Sequence, residues 1–250
     1  DSLNAIEVAV FRDGRATMAE LMDALREDFA PPHDRLHDFL VNKAPKFGTE
    51  DPVALRNSKR LVDFLYEVYQ SHTNYRGGPY RPAYWTMTTH AGQGKLSGAL
   101  PSGRKAHKVF SSGITPASQA APSIVEAFNA VAALDCASIP GGQALNIKYT
   151  PRRVDENEQA YLERFGDLVE GYFRQGGMQV QFNIQSYEDL IDAMNNRDKY
   201  PELIVRVSGY SAYFKDLSRA MQEELISRTQ YQLDTGAAVA LPEGWEEGQR

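Results

Sequence analysis

The sequence has 250 residues, 42% of them hydrophobic, which suffices for one large domain or two modest ones with a substantial core. Its 33 acidic and 27 basic residues leave a net charge of -6, and no basic face of the kind that binds nucleic acid stands out. No apolar run approaches the roughly 20 residues that a membrane-spanning helix needs, and no charged-then-apolar start reads as a signal peptide.

The single cysteine, Cys136, excludes an internal disulfide framework and a multi-thiolate metal site. It fits a reducing, cytoplasmic setting. The chain opens Asp1-Ser2-Leu3 without an initiator Met, which reads as a trimmed chain or a piece of a longer one.

In chain order, Thr17 and Glu20 have the spacing of a capping box. Met18, Leu21, Met22, Leu25 and Phe29 follow at helical spacing, up to a stop at Pro31-Pro32. A second helix is predicted over 55–70, with Leu61, Phe64, Leu65 and Val68 on one face. The stretch 75–122 is punctuated by Gly and Pro but rich in aromatics, and is predicted as short strands joined by ordered loops. Ser123 and Glu126 open a helix to about Leu134, followed by a strand over 144–149 and a long amphipathic helix carrying Tyr161, Leu162, Phe165, Leu168, Val169 and Phe173. Met178, Val180, Phe182 and Ile184 alternate with polar residues, the mark of a strand with one apolar face. Ser186 starts another helix, 203–207 is a nearly all-apolar strand, and Ser218 caps a last helix containing Met221, Leu225 and Ile226. Residues from about 234 to 250 read as a loosely held tail. Alternating strands and helices imply an α/β architecture with some parallel pairing, divided into 1–122, 123–232 and the tail.

The stretch that carries chemistry is Arg206-Val207-Ser208-Gly209-Tyr210-Ser211-Ala212. A glycine after a strand ordinarily marks a turn that needs positive φ. Here an arginine stands three residues before the glycine, small Ser208 directly before it, an aromatic after it and small Ala212 three after. Together with Met221-Gln222-Glu223-Glu224-Leu225-Ile226-Ser227-Arg228-Thr229, this resembles the signature of the glycyl radical enzymes, the pyruvate formate-lyase and diol dehydratase superfamily. Ala44-Pro45-Lys46-Phe47-Gly48, Arg76-Gly77-Gly78, Leu100-Pro101-Ser102-Gly103-Arg104-Lys105-Ala106 and Leu145-Asn146-Ile147-Lys148 resemble that family's carboxyl-terminal third as well. Ser102 departs from the aspartate more usual at its position.

The resemblance implies the later part of a ten-stranded α/β barrel, with a glycyl radical loop inserted into it. It implies a radical stored on Gly209 and installed once by a separate activating enzyme that uses S-adenosylmethionine and a [4Fe-4S] cluster. Arg206, Ser208 and Tyr210 would support the loop. Glycine suits the role because an α-carbon radical must be planar, and a Cβ would strain the flattened backbone. The family passes its radical to a cysteine, which in most members other than the formate-lyases sits in a Cys-x-Glu setting; no Cys-x-Glu occurs in this sequence, and Cys136 reads as a small buried residue. The thiol would therefore come from an upstream segment or a partner chain, with this chain inactive alone and the assembled enzyme a homodimer.

The implied reaction is cleavage of a carbon–heteroatom bond in a small molecule by a dehydratase, amine-lyase or sulfite-lyase. The alternatives are a C–C bond reaction, such as addition to fumarate or arylacetate decarboxylation, and a non-catalytic spare radical subunit. Arg81, Tyr84 and Trp85 are candidates for the substrate pocket, Arg81 for an anionic group. Against that stands a surface arginine stacked on an aromatic.

His33 and His37 share a helical face, but a zinc helix would carry Glu after the first His and needs a third ligand. They read as two solvated side chains, and His90 and His107 as structural. Ala91-Gly92-Gln93-Gly94-Lys95-Leu96 resembles a phosphate loop, yet Leu96 stands where Ser or Thr must bind magnesium. No metal or nucleotide site is expected.

Overall fold

The computed structural model describes residues 1–150, 158–232, 235–243 and 245. The first element, α1 (Ser2–Ile6), runs into a π-helical segment, Glu7–Arg12. Next come α2 (Met18–Arg26), α3 (Asp34–Asn42) and α4 (Pro52–Gln70). Both halves of the predicted capping box form: Thr17 Oγ1 accepts from the Glu20 N–H, and Glu20 accepts from the Thr17 N–H. α2 stops earlier than its apolar spacing suggested, because Asp28 and Phe29 take positive φ. Phe29 still buries its ring, beside Leu21, Ala24, Phe39 and Leu40.

Asp51 caps α4 by accepting from the Val53 and Ala54 N–H groups, with Pro52 at the first position. The apolar face predicted for this helix turns outward: Leu61, Phe64 and Val68 are exposed, and Val62 and Ala54 make the buried contact. Periodicity found the helix but not the stripe that packs.

Between 75 and 122 the expected strands reduce, among the described residues, to isolated bridges such as Tyr84 with Gln143, and a helix forms instead, α5 (Thr89–Leu96). Arg104 ties this region, donating to the carbonyls of Gly94, Gly98 and Lys108. The phosphate-loop lookalike is part of α5. A Cβ on Gly94 would meet the Lys108 carbonyl at 2.4 Å, so glycine is there for close helix–loop packing.

Among the described residues the main sheet has the order β2 (Gln181–Asn183), β1 (Asn146–Thr150), β5 (Gln230–Gln232), β6 (Ala238–Val239). β1 is parallel to both neighbours, and β6 is antiparallel to β5. Its apolar side is covered by α6 (Ile124–Ala132) and α7 (Glu158–Arg174), which bury Phe128, Val131, Ile147, Tyr149, Tyr172 and Tyr231 together. A second cluster joins α8 (Tyr187–Asn195) and α9 (Arg219–Ser227) to the hairpin of β3 (Ile204–Arg206) and β4 (Ser211–Tyr213).

The architecture is α/β with parallel pairing, as the alternation of elements predicts. Three local expectations change. β3 is not wholly buried: Ile204 is exposed, because the hairpin packs only the face that carries Val205 and Val207. Ser218 occupies the N-cap of α9, but its side chain accepts no capping hydrogen bond. The segment expected to be loose returns as β6 and buries Leu241 against the hairpin cluster; the part of that expectation at 233–234, 244 and 246–250 lies outside the described residues.

Candidate active site

The β3–β4 hairpin turns through Ser208 and Gly209. The Val207 N–H donates to the Tyr210 carbonyl at 2.9 Å, and Gly209 takes φ +80°, a left-handed conformation that side chains disfavour. Sterics add a second reason for glycine. A Cβ there would lie 2.8–3.0 Å from three indole atoms of Trp85.

The hairpin is held from the sheet side by two amides of β2. Gln181 Oε1 accepts from the Gly209 N–H at 3.0 Å and from Arg206 Nε at 2.7 Å. Asn183 forms a reciprocal pair with the Arg206 peptide, its Oδ1 accepting from the N–H and its Nδ2 donating to the carbonyl, both at 2.7 Å. These polar alternates of β2 are its buried face, with Gln181 and Asn183 only 7% and 6% exposed. An amphipathic strand usually turns its polar side to water. Here that side receives the backbone of the hairpin.

From behind, Arg228 Nη2 donates to the Val207 carbonyl at 2.7 Å and Nη1 to the Arg206 carbonyl at 3.3 Å. The same guanidinium makes a two-pronged pair with Glu224, both contacts at 2.9 Å, in a setting where neither side chain is more than 5% exposed. Burial pushes the Glu224 carboxyl up, but Arg228 and His90, whose Nε2 lies 3.6 Å away, outweigh this and leave it below its ordinary value. Lys148 on β1 is fully buried, its Nζ donating to the carbonyls of Leu225 and Ile226 at the end of α9 and lying 3.8 Å from the Tyr187 ring centre. Burial, then Arg228, holds its pKa well below the usual lysine value.

Each side chain singled out in the sequence has a definite place. Arg206 and Tyr210 flank the turn, Tyr210 half-buried against the hairpin cluster with its phenol pKa raised by burial. Ser208 is fully buried. Of the pocket candidates, Trp85 lies on Gly209, with its Nε1–H donating to the Ser208 carbonyl at 3.2 Å. Tyr84, one residue along an extended segment, points the other way, into a cluster with Val62, Leu134 and Ile139. Arg81 is exposed and makes no hydrogen bond or ion pair among the described residues. The three therefore do not converge.

Gly209 itself is exposed in this chain. The expected burial of the loop tip is not supplied by the described residues, because the hairpin buries only one face. Cys136 is half-buried rather than buried, and its thiol donates to the Gly176 carbonyl. Burial and Asp135 raise its pKa, the opposite of an activated thiolate. The two histidines of α3 and its cap are not simply solvated: His33 meets Glu27 at 3.1 Å, whereas His37 meets the Gly103 carbonyl at 2.8 Å and stacks on Phe29. His90 is buried at 2% exposure, and His107 contacts the Lys95 carbonyl.

Gln181, Asn183 and Arg228 were not singled out individually from the sequence. The signal for the amides was their two-residue spacing in an alternating strand. Arg228 stands four residues after Glu224, the spacing of a helical ion pair.

Two family descriptions match the chain: a pyruvate formate lyase-like segment over residues 1–94 and a glycine radical segment over residues 110–215. Trans-4-hydroxy-L-proline dehydratase of Clostridioides difficile is 34% identical over 92% of this chain and 29% of its own length. A probable dehydratase of Escherichia coli, YbiW, is 35% identical over 93% of this chain and 30% of its own length. The structure of the B12-independent glycerol dehydratase of Clostridium butyricum, in its glycerol-bound form, superposes with a TM-score of 0.85 at 32% identity, over 92% of this chain and 29% of that one. The chain thus spans about 30% of the length of the relatives it matches. With its hairpin glycine inside the matched glycine-radical segment, the chain belongs to the glycyl radical enzyme superfamily and corresponds to that family's carboxyl-terminal part.

Proposed function

We propose that Gly209 stores an organic radical for an anaerobic lyase that cleaves a carbon–heteroatom bond in a small molecule. The observation that carries this reading is the turn: a glycine at positive φ, in contact with an indole that leaves no space for a Cβ, its N–H held by Gln181 and its hairpin clamped by Arg228. The two dehydratases, at 34% and 35% identity, favour carbon–heteroatom cleavage over a C–C bond reaction. The whole protein completes the ten-stranded barrel and encloses the exposed glycine, with 123–232 as the glycyl radical domain.

An activating enzyme that uses S-adenosylmethionine and an iron–sulfur cluster removes one hydrogen atom from the Gly209 α-carbon. The glycyl radical then takes a hydrogen atom from a thiol in a Cys-x-Glu setting, upstream or on a partner chain, leaving a thiyl radical. The thiyl takes a hydrogen atom from substrate, the heteroatom group departs, and the thiol returns a hydrogen atom to the product radical. The protein's task is to hold these centres in line and away from water. Arg206, Ser208 and Tyr210 keep the loop in shape. Arg81, exposed and without a partner among the described residues, is available to an anionic group of the substrate, whereas the positions of Tyr84 and Trp85 favour support roles. The setting is cytoplasmic and the assembled enzyme a homodimer.

Anaerobic activation of the assembled protein, followed by electron paramagnetic resonance, tests the central step. A doublet in the wild type that Gly209→Ala lacks is the expected result; a wild type without one overturns the reading. Co-purification then separates the assemblies. A stoichiometric chain carrying Cys-x-Glu marks a split enzyme, and docking on an already complete enzyme marks a spare radical subunit.

A further inference from the structure

Trp85 comes from a loop segment 123 residues before the turn it touches, yet its indole is the nearest group to the side-chain position of Gly209. The contact has two parts. The indole N–H donates to the Ser208 carbonyl at 3.2 Å, and the adjoining ring edge fills the space that a Cβ would need. The Ser208–Gly209 amide is therefore held at both polar ends by side chains from separate segments: Trp85 on its oxygen and Gln181 on its N–H, at 3.0 Å.

This amide is the one whose nitrogen shares spin with a radical at the Gly209 α-carbon. A hydrogen bond to its oxygen polarises the carbonyl, draws electron density from the nitrogen and fixes the plane with which the radical orbital must align. The indole also covers one side of an α-carbon that is otherwise exposed in this chain. An aromatic side chain that merely filled space would need no donor, whereas the indole N–H is spent on the Ser208 carbonyl.

We infer that Trp85 is a positioning residue for radical storage, a clamp and one-sided shield for the Ser208–Gly209 peptide, rather than a substrate contact. The inference rests on the radical reading above. The segment from Tyr84 to Trp85 is well placed for both jobs, since Tyr84 anchors it to Gly142 and Ala144 by backbone hydrogen bonds of 3.0 and 3.1 Å. Strand-like alternation then turns Tyr84 inward and Trp85 onto the hairpin.

The test uses the assembled protein, wild type and the variants Trp85→Phe and Trp85→Ala, activated anaerobically and followed by electron paramagnetic resonance. Trp85→Phe keeps an aromatic cover but loses the donor. Its radical lifetime should fall roughly three- to tenfold, the scale of losing one net hydrogen bond, and the doublet splitting should change because spin at the amide nitrogen is redistributed. Trp85→Ala also loses the cover, and its radical should decay faster still on exposure to dioxygen. A role in packing alone would lower the melting temperature and leave splitting and lifetime as in the wild type, and that result in Trp85→Phe overturns the inference even if Trp85→Ala fails to fold. A wild type that gives a doublet while Trp85→Phe matches it removes only the role of Trp85. A wild type with no doublet removes the radical reading along with it.

Discussion

Gly209 is constrained twice, and the two constraints have different origins. Its φ of +80° comes from the two-residue turn, whereas the space denied to a Cβ comes from Trp85 on a remote loop. Gly209→Ala should therefore cost stability as well as the proposed radical, about 1–3 kcal/mol from the left-handed backbone, with the indole contact adding to it; urea unfolding of the unactivated protein measures this. Ser208 is different. Its side chain is fully buried and its hydroxyl has no partner among the described residues, so Ser208→Ala should shift stability by no more than about 1 kcal/mol in either direction. Small size is what that position needs.

At the scale of elements, the Glu224–Arg228 pair is where α9 meets the hairpin. Removing the cation leaves a carboxylate buried without its main partner, so Arg228→Met should cost about 3–5 kcal/mol and loosen the turn. The pH dependence has a definite sign. The folded-state pKa of Glu224 lies below its ordinary value, so its contribution is complete above that value and is lost as pH falls through the lowered one. In Arg228→Met the folded pKa rises, and acid sensitivity should begin at higher pH, visible in denaturation curves measured across the acid range. On the sheet side, Gln181→Leu removes an acceptor shared by Arg206 and the Gly209 N–H. Hydrogen exchange at the Gly209 amide should accelerate several-fold, while β1 stays protected by its pairing with β5.

For the whole molecule, a further charge that bears on stability sits on a half-buried lysine. Lys46 donates to the carbonyls of Leu40 and Ser102, both at 2.6 Å, and burial lowers its pKa to about 8. A lysine lowered on folding binds fewer protons in the native state, so stability should rise with pH from about 8 toward the ordinary lysine value near 10.5. Lys46→Met should flatten that rise in melting experiments. Elsewhere, Phe11, Leu61 and Phe64 present apolar side chains to the outside of the first helices. A change such as Phe64→Ser should leave the stability of this chain within about 0.5 kcal/mol.

How much of this was legible depends on the range of the interaction. Caps and the glycine turn rest on contacts within a few residues, so Thr17, Ser123, Ser186 and the Arg206–Ala212 pattern could be read directly. β5 and β6 could not be foreseen, because strands this short exist only by pairing with partners distant in sequence. Sequence by itself determined the α/β class, the family and the glycine proposed to store the radical. Tertiary structure decided which face of α4 packs, that the polar side of β2 is the buried one, and that Trp85 rather than Arg81 or Tyr84 reaches Gly209. Local propensity reports what a segment can form; only long-range packing selects the neighbour it meets.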